Sequence, residues 1–115
     1  MNIYCVIPTY NEEVFISKTL DSIVSQTLLP KKVVVVNDNS TDGTQNIIDS
    51  YTEKYSWISS VYNSSENKHF PGSKVIRAFQ KGFETLDDNF DIIIKLDADL
   101  ILPTNYFEKI VETFQ

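Results

Sequence analysis

Short apolar runs alternate along the chain with longer stretches in which apolar residues recur every three or four positions. The short runs are rich in β-branched residues and predict strands, whereas the longer stretches predict helices. Strands are predicted over residues 3–7, 32–36, 57–62 and 91–96, and helices over 12–27, from a turn at 39–44 to 55, 73–86 and 104–114. Such repeated βα units predict an α/β fold with a mainly parallel central sheet.

The composition of individual elements predicts their places in this sheet. The second strand is continuous in valine from Val33 to Val36, which is typical of a central strand covered by helices on both faces. The more polar third strand is expected at an edge. Pro8 is expected to end the first strand, and the fourth is expected to be buried. The inner faces of the first and third helices are predicted to carry Val14, Leu20, Ile23, Val24, Val75, Ile76, Phe79 and Phe83.

Composition narrows the possible functions of a single domain of 115 residues. The net charge of -6 at pH 7 repels polyanions and argues against binding to nucleic acid. The single cysteine, Cys5, lies within the first predicted strand, so we assign it to the core. Because one cysteine cannot form an internal disulfide, we expect a cytoplasmic location. The apolar runs are too short to cross a bilayer, although a longer protein could still bind peripherally to a membrane.

Three polar clusters directly follow predicted strands, at residues 8–12, 37–40 and 97–99. In open parallel sheets, ligands bind beyond the carboxyl ends of the strands. Because those ends lie at one edge of the sheet, the three clusters are expected to form one site.

Asp97 and Asp99 are the strongest candidates for a metal site. Two carboxylates this close repel each other, so one is expected to have a raised pKa unless a cation lies between them. Mg²⁺ and Mn²⁺ suit such oxygen ligands, and they usually take further ligands from water and phosphates. A capping role for one Asp in the following turn is the alternative that the sequence leaves open.

Other candidate side chains each have a structural alternative. Asp38 could bind a ligand or form a turn, and Tyr10 could stack on a base or sugar or belong to the core. Lys74 and Arg77, near the start of the third helix, could contact a phosphate or be solvated. The only histidine, His69, is assigned to a loop, which argues against a histidine-based metal cluster or catalytic triad.

Taken together, three segments resemble the family 2 glycosyltransferases with the GT-A fold: VIPTYNE at 6–12, VVNDNSTDGT at 35–44 and LDAD at 96–99. The resemblance covers essentially the entire chain. It implies a Rossmann-like three-layer sandwich. It also implies inverting transfer of a sugar from a nucleotide sugar to an acceptor hydroxyl in glycan or cell-surface polysaccharide synthesis. The expected donor is a UDP-linked sugar.

The resemblance implies roles for single positions in nucleotide binding. Pro8 and Tyr10 match the segment that lines the base, and Asp38 matches the acidic residue that hydrogen-bonds uracil. Lys74 matches a basic residue that contacts the nucleotide. Asn37 stands where the family often has an Asp, so we assign it no ligand role.

The resemblance also implies a metal site and an incomplete enzyme. Asp97 resembles the first Asp of the metal motif, near the ribose, and Asp99 resembles the ligand of Mg²⁺ or Mn²⁺. The family's general base lies well downstream of this motif, whereas sixteen residues follow Asp99. Residues 1–115 are therefore expected to be the N-terminal nucleotide-sugar-binding part, without the half that binds a glycan or lipid-linked acceptor. Such a part is expected to bind donor without transferring sugar, and its exposed apolar surface could allow self-association.

Three alternatives remain at this point. A haloacid-dehalogenase-type phosphatase also has Asp-x-Asp after a strand, but that motif normally begins the chain and is followed by Thr or Val where this chain has Ile101. A phosphate-accepting receiver domain needs paired acidic residues after the first strand and a lysine after a fifth strand. Here the first strand is followed by the sequence PTYN, and no fifth strand is predicted. A non-catalytic nucleotide-binding or interaction module would share the same residues and is not distinguished by sequence.

Overall fold

The computed structural model describes residues 1–64 and 71–114, with the side chains of 71–74 left out. Within these residues the strands and helices alternate in the predicted order. The strands are β1 (Ile3–Thr9), β2 (Lys32–Asp38), β3 (Ile58–Asn63) and β4 (Ile92–Lys95), and the helices are α1 (Ile16–Val24), α2 (Thr44–Lys54), α3 (Pro71–Phe83) and α4 (Tyr106–Thr113). No helix in the described ranges is both long enough and apolar enough to span a membrane.

The strands form one sheet in the order β3-β2-β1-β4, and every neighbouring pair is parallel. The predicted central position of the valine-rich β2 and the edge position of β3 are both confirmed. β4 forms the other edge of the described sheet. Its residues Ile92–Ile94 are therefore half-buried, and the expectation of a buried fourth strand was wrong.

Helices cover both faces of the sheet, which confirms the predicted three-layer sandwich. Alternate strand residues point to opposite faces. On one face Cys5, Ile7 and Val35 belong to a core that includes residues of α1, α2 and α4. On the other face Val6, Val34 and Val36 pack with Ala78 of α3. Cys5 is buried as predicted, and burial raises the pKa of its thiol.

Pro8 does not end β1, because the strand continues through it to Thr9. In a parallel strand, alternate residues direct their backbone groups to alternate neighbours. The carbonyl of Val6 accepts a hydrogen bond from Leu96 N at 3.0 Å, so Pro8, two residues later, faces the same side. The β4 ladder has already ended there, at Lys95. The missing N–H of Pro8 therefore costs no sheet hydrogen bond.

The first helix begins at Ile16, four residues later than predicted. Asn11 has a positive φ of 48°, and the amides of Phe15 and Ile16 then bond to the carbonyl of Glu12. Residues 12–15 are thus a turn leading into the helix. Val14 lies in this turn with 80% of its surface exposed, so its predicted place on the inner face was wrong.

The apolar residues predicted to line the inner face of α3 are only partly inside. Phe79 packs against the core, but Val75, Ile76 and Phe83 are exposed. The helix instead approaches the sheet through Ala78 and Gly82, which share one face because they are four residues apart. A Cβ on Gly82 would lie 2.6 Å from Val36 Cγ2 and 2.7 Å from Val6 Cγ1. Small residues therefore set the close packing of α3 on the sheet.

Candidate functional site

A cleft of about 290 Å³ opens at the carboxyl edge of the sheet. Five of the six predicted ligand residues line it, namely Pro8, Tyr10, Asp38, Asp97 and Asp99. Residues from all three polar clusters therefore contribute to one cleft, as the strand-end argument predicts. The side chain of Lys74 lies outside the described part of the structure, as does His69. Arg77 is exposed and is not among the residues that line the cleft.

The loops after β1 and β2 are joined by hydrogen bonds that involve their backbones. Asn11 N donates to Ser40 Oγ at 3.0 Å, and Thr41 N donates to Asn11 Oδ1 at 2.8 Å. A third bond runs from Glu12 N to Thr44 Oγ1 at 2.9 Å. The segment proposed to line a base and the loop carrying Asp38 therefore form one connected wall of the cleft.

Asp38 is a buried carboxylate at the end of β2. Only 6% of its surface is exposed, and its Oδ1 accepts a hydrogen bond from Asn63 Nδ2 at 3.1 Å. A carboxylate can accept further hydrogen bonds, so one amide partner leaves capacity for a ligand in the cleft. Its neighbour Asn37 is used differently: its amide donates to Gln45 Oε1 at 2.7 Å, and its Oδ1 accepts from Ser40 N at 3.1 Å. These contacts give Asn37 a structural role in the turn.

Tyr10 lies at the rim of the cleft with 58% of its surface exposed. This exposure argues against the core role that the sequence left open. An exposed aromatic ring beside a polar cleft can stack on a planar base or on the apolar face of a sugar.

The two aspartates after β4 have different surroundings. Asp97 Oδ1 pairs with Lys95 Nζ at 3.0 Å, although both side chains are largely exposed and the pair is correspondingly weak. Among the described residues, leaving out the side chains of 71–74, none donates a hydrogen bond to the Asp99 carboxylate. Between them Ala98 is only 5% exposed and belongs to the core. The buried alanine anchors the turn and leaves both carboxylates at the cleft.

Glu12 is a residue of the cleft to which sequence reasoning gave no role. Burial raises its pKa, and the negative charges of Asp99 and Asp42 raise it further. The Asp99 carboxylate therefore has a second acid as a close electrostatic neighbour. The available signal was the position of Glu12 at the end of the first polar cluster. The contribution of α3 through Val75 and Ala78 gave no comparable signal, because both are apolar.

The carboxylates of the cleft could hold a divalent cation that is also bound by a phosphate-containing ligand. Among the described residues, no group of three or more His, Cys, Asp or Glu side chains is arranged to hold a metal ion. A cation at Asp99 would thus have few protein ligands and would need oxygens from phosphate and water. Mg²⁺ is commonly bound in this manner, through one or two carboxylates and substrate phosphates.

Comparison with known proteins gives a consistent result. The family model described as glycosyl transferase family 2 matches residues 4–115. The probable glycosyltransferase YdaM of Bacillus subtilis is 38% identical over 97 residues, which make up 82% of this chain and 22% of that protein. The chain therefore spans less than a quarter of this relative.

Solved structures share the fold. S. aureus TarS 1-349 in complex with UDP has a TM-score of 0.78 at 24% identity, covering 97% of this chain and 31% of the TarS 1-349 chain. The mannosyltransferase PcManGT from Pyrobaculum calidifontis, in complex with GDP-Man and Mn²⁺, has a TM-score of 0.72 at 26% identity. It covers 89% of this chain and 28% of its own. These likenesses confirm the GT-A fold.

Proposed function

Because this chain belongs to glycosyl transferase family 2, we propose that its cleft binds the nucleotide diphosphate of a sugar donor together with Mg²⁺ or Mn²⁺. The observation that carries this proposal is the convergence of Tyr10, Asp38 and Asp99 on one cleft from three different strand ends. A stacking ring, a buried hydrogen-bond acceptor and an exposed carboxylate are the groups needed for a base and a metal-bound diphosphate.

The nucleotide would lie across the cleft. Tyr10 and Pro8 would contact the base, Asp38 would accept a hydrogen bond from uracil, and Asp97 would lie near the ribose. We favour a UDP-sugar because Asp38 stands at the position where the family has the acidic residue that hydrogen-bonds uracil, and TarS has been solved with UDP. The role of Lys74 in contacting the nucleotide stays a prediction.

The cation would be held by Asp99, with the remaining ligands supplied by the diphosphate and water. When bound, it would offset the negative charge that develops on the departing diphosphate. Support comes from the exposed Asp99 carboxylate and from PcManGT, which was solved with GDP-Man and Mn²⁺.

The reaction that we propose for the whole protein is inverting transfer of the sugar to an acceptor hydroxyl, in the synthesis of a glycan or cell-surface polysaccharide. The acceptor and the general base would belong to a further part of the protein. This chain alone would accordingly bind donor and metal without transferring sugar. Consistent with this division, it corresponds to 22% of YdaM and 31% of the TarS chain. A cytoplasmic location stays a prediction.

Calorimetric titration of the chain with UDP, with and without Mn²⁺, tests the proposal. We expect Mn²⁺ to strengthen binding by about 10-fold or more, and we expect Asp99→Asn to remove that gain. Asp88→Asn is the control, because it removes one negative charge from an exposed residue that does not line the cleft. The proposal is wrong if UDP does not bind, or if Asp99→Asn retains the full effect of Mn²⁺.

The second candidate is a non-catalytic nucleotide-binding module, which would use the same cleft residues. Both candidates predict that this chain binds UDP. They differ in the longer protein, where only an enzyme would release UDP from a UDP-sugar in the presence of an acceptor.

A further inference from the structure

A row of polar side chains on α1 and just beyond it contacts the segment that follows β4. Thr19 and Ser22 are three residues apart on one side of α1, and Gln26 follows just after the helix ends. The residues between Asp97 and Asn105 belong to no helix or strand, so their backbone groups need other hydrogen-bond partners. The three polar side chains supply some of them.

The contacts run in sequence along the row. Thr19 Oγ1 donates to the carbonyl of Ala98 at 2.9 Å, and Leu102 N donates to Ser22 Oγ at 3.1 Å. Farther along, Gln26 accepts from the amide of Phe107 at 3.2 Å and donates to a backbone carbonyl through its Nε2. The helix therefore holds the chain at several points from Ala98 onward.

The Thr19 contact differs from the others because it is made to the peptide group that links Ala98 to Asp99. The carbonyl of Ala98 lies in the same rigid plane as the amide nitrogen and Cα of Asp99. Thr19 is completely buried and Ala98 is 5% exposed, so water does not readily replace this bond. The hydroxyl of Thr19 thus restrains the peptide plane from which the Asp99 side chain begins.

We propose that Thr19 is a positioning residue for Asp99: by holding the Ala98 carbonyl, its hydroxyl sets the direction in which the Asp99 carboxylate enters the cleft. This inference rests on the proposed role of Asp99 in metal binding. Mutation of a residue that orients a metal ligand without touching the metal typically lowers metal affinity by about 10- to 100-fold. If Thr19 had only a structural role, its substitution would change stability but would leave the effect of Mn²⁺ on binding unaltered.

The test compares UDP titrations with and without Mn²⁺ for Thr19→Val, which keeps the shape of the side chain and removes its hydroxyl. We expect the gain from Mn²⁺ to fall by about 10-fold, with the affinity for UDP alone unchanged. Thr19→Ser restores a hydroxyl and is expected to restore the gain. Gln26→Leu is the matched control, because it removes hydrogen bonds to the same segment at the far end of the row, away from Ala98.

Each variant is measured at a temperature at which circular dichroism shows it to be folded. Should Thr19→Val not fold, Thr19→Ala takes its place, because it leaves room for a water molecule to satisfy the carbonyl. Absence of any Mn²⁺ effect in the unaltered chain would overturn the proposed function and this inference together. A full Mn²⁺ effect in Thr19→Val, or an equal loss in Gln26→Leu, would overturn the inference alone.

Discussion

Asp38 and Asp99 both line the cleft, but their surroundings differ. Asp38 is buried and bonded to Asn63, whereas Asp99 is exposed. If Asp38 recognises the base, its contribution does not depend on the cation. A hydrogen bond to a charged group contributes about 1.5–3 kcal/mol, which corresponds to at least about a 10-fold change in affinity.

We therefore predict that Asp38→Ala weakens UDP binding by about 10-fold or more, both with and without Mn²⁺. Calorimetry on the Asp38→Ala and Asp99→Asn variants separates the two roles, since only the latter should abolish the Mn²⁺ effect. Asp88→Ala, at an exposed acid outside the cleft, should bind as the unaltered chain does. An unchanged affinity in Asp38→Ala would remove this residue from the binding site.

Asp87 belongs to a charged cluster near the start of β1 and β2, away from the cleft. Its carboxylate accepts hydrogen bonds from Lys32 Nζ at 2.6 Å and from the hydroxyl of Tyr4. Lys32 first, and then Tyr4 and the amide of Asn89, hold the pKa of Asp87 well below its usual range. The charged form is thus favoured by folding, so its stabilising effect is present above the unfolded pKa of about 3.9 and is lost as pH falls below it.

This shift predicts a pH-dependent effect of Asp87→Asn. At pH 7 the variant should melt at a lower temperature than the unaltered chain, and the difference should shrink as the pH falls below about 4. Melting curves followed by circular dichroism across this range measure the effect, with Asp88→Asn as the neighbouring control. A constant difference in Tm at every pH would show that the charge of Asp87 is not the cause.

At the scale of elements, Gly82 controls how closely α3 lies on the sheet. Added to this glycine, a methyl group would overlap side chains of Val36 and Val6, both of which are fully buried. Alanine is the better helix former by about 1 kcal/mol, but overpacking of a core costs about 1–3 kcal/mol. Because two short valine side chains in the sheet have little room to move, we expect the clash to exceed the gain.

Gly82→Ala should therefore reduce the free energy of unfolding by up to about 2 kcal/mol and lower the Tm correspondingly. Chemical and thermal unfolding measure this loss. Gln80→Ala, an exposed position on the same helix, should change stability by less than about 0.5 kcal/mol. A Gly82→Ala variant at least as stable as the parent would show that α3 can shift away from the sheet at little cost.

The order and type of the elements could be predicted from sequence because the apolar runs of a parallel sheet are distinctive. Less predictable were the features that depend on neighbours. The start of α1 depends on the positive φ of Asn11 and on hydrogen bonds to a loop about thirty residues away. The face that α3 turns to the sheet was hidden because small residues, rather than the largest apolar ones, make the contact.

The candidate site follows the same division at the scale of the whole molecule. The rule that ligands bind beyond the carboxyl ends of parallel strands predicted that Asp38 and Asp99 share one site, and both line the same cleft. The joint position of Glu12 and Asp99 at the cleft and the bond from Thr19 to Ala98 depend on how α1 and its preceding turn are placed against the segment after β4. Such contacts join residues that are distant in sequence, and no local pattern encodes them.

Exposed apolar side chains on α3 bear on how the whole chain behaves in solution. Val75, Ile76 and Phe83 are 40%, 60% and 38% exposed. Water around such a surface favours its burial against another apolar surface. Self-association between copies, expected from the sequence, thus has a specific candidate surface on the side of the sheet opposite to α2.

We predict that the chain associates as its concentration rises, and that Ile76→Lys reduces this association. Ile76 is sufficiently exposed that the substitution should cost little stability, while a charge would have to be desolvated at any contact. Sedimentation from micromolar to millimolar concentration measures the effect. Glu53→Gln changes the net charge by the same amount on the opposite helix layer, so it separates the apolar contact from general charge repulsion. A chain that stays monomeric throughout, or equal effects of the two substitutions, would show that α3 does not drive association.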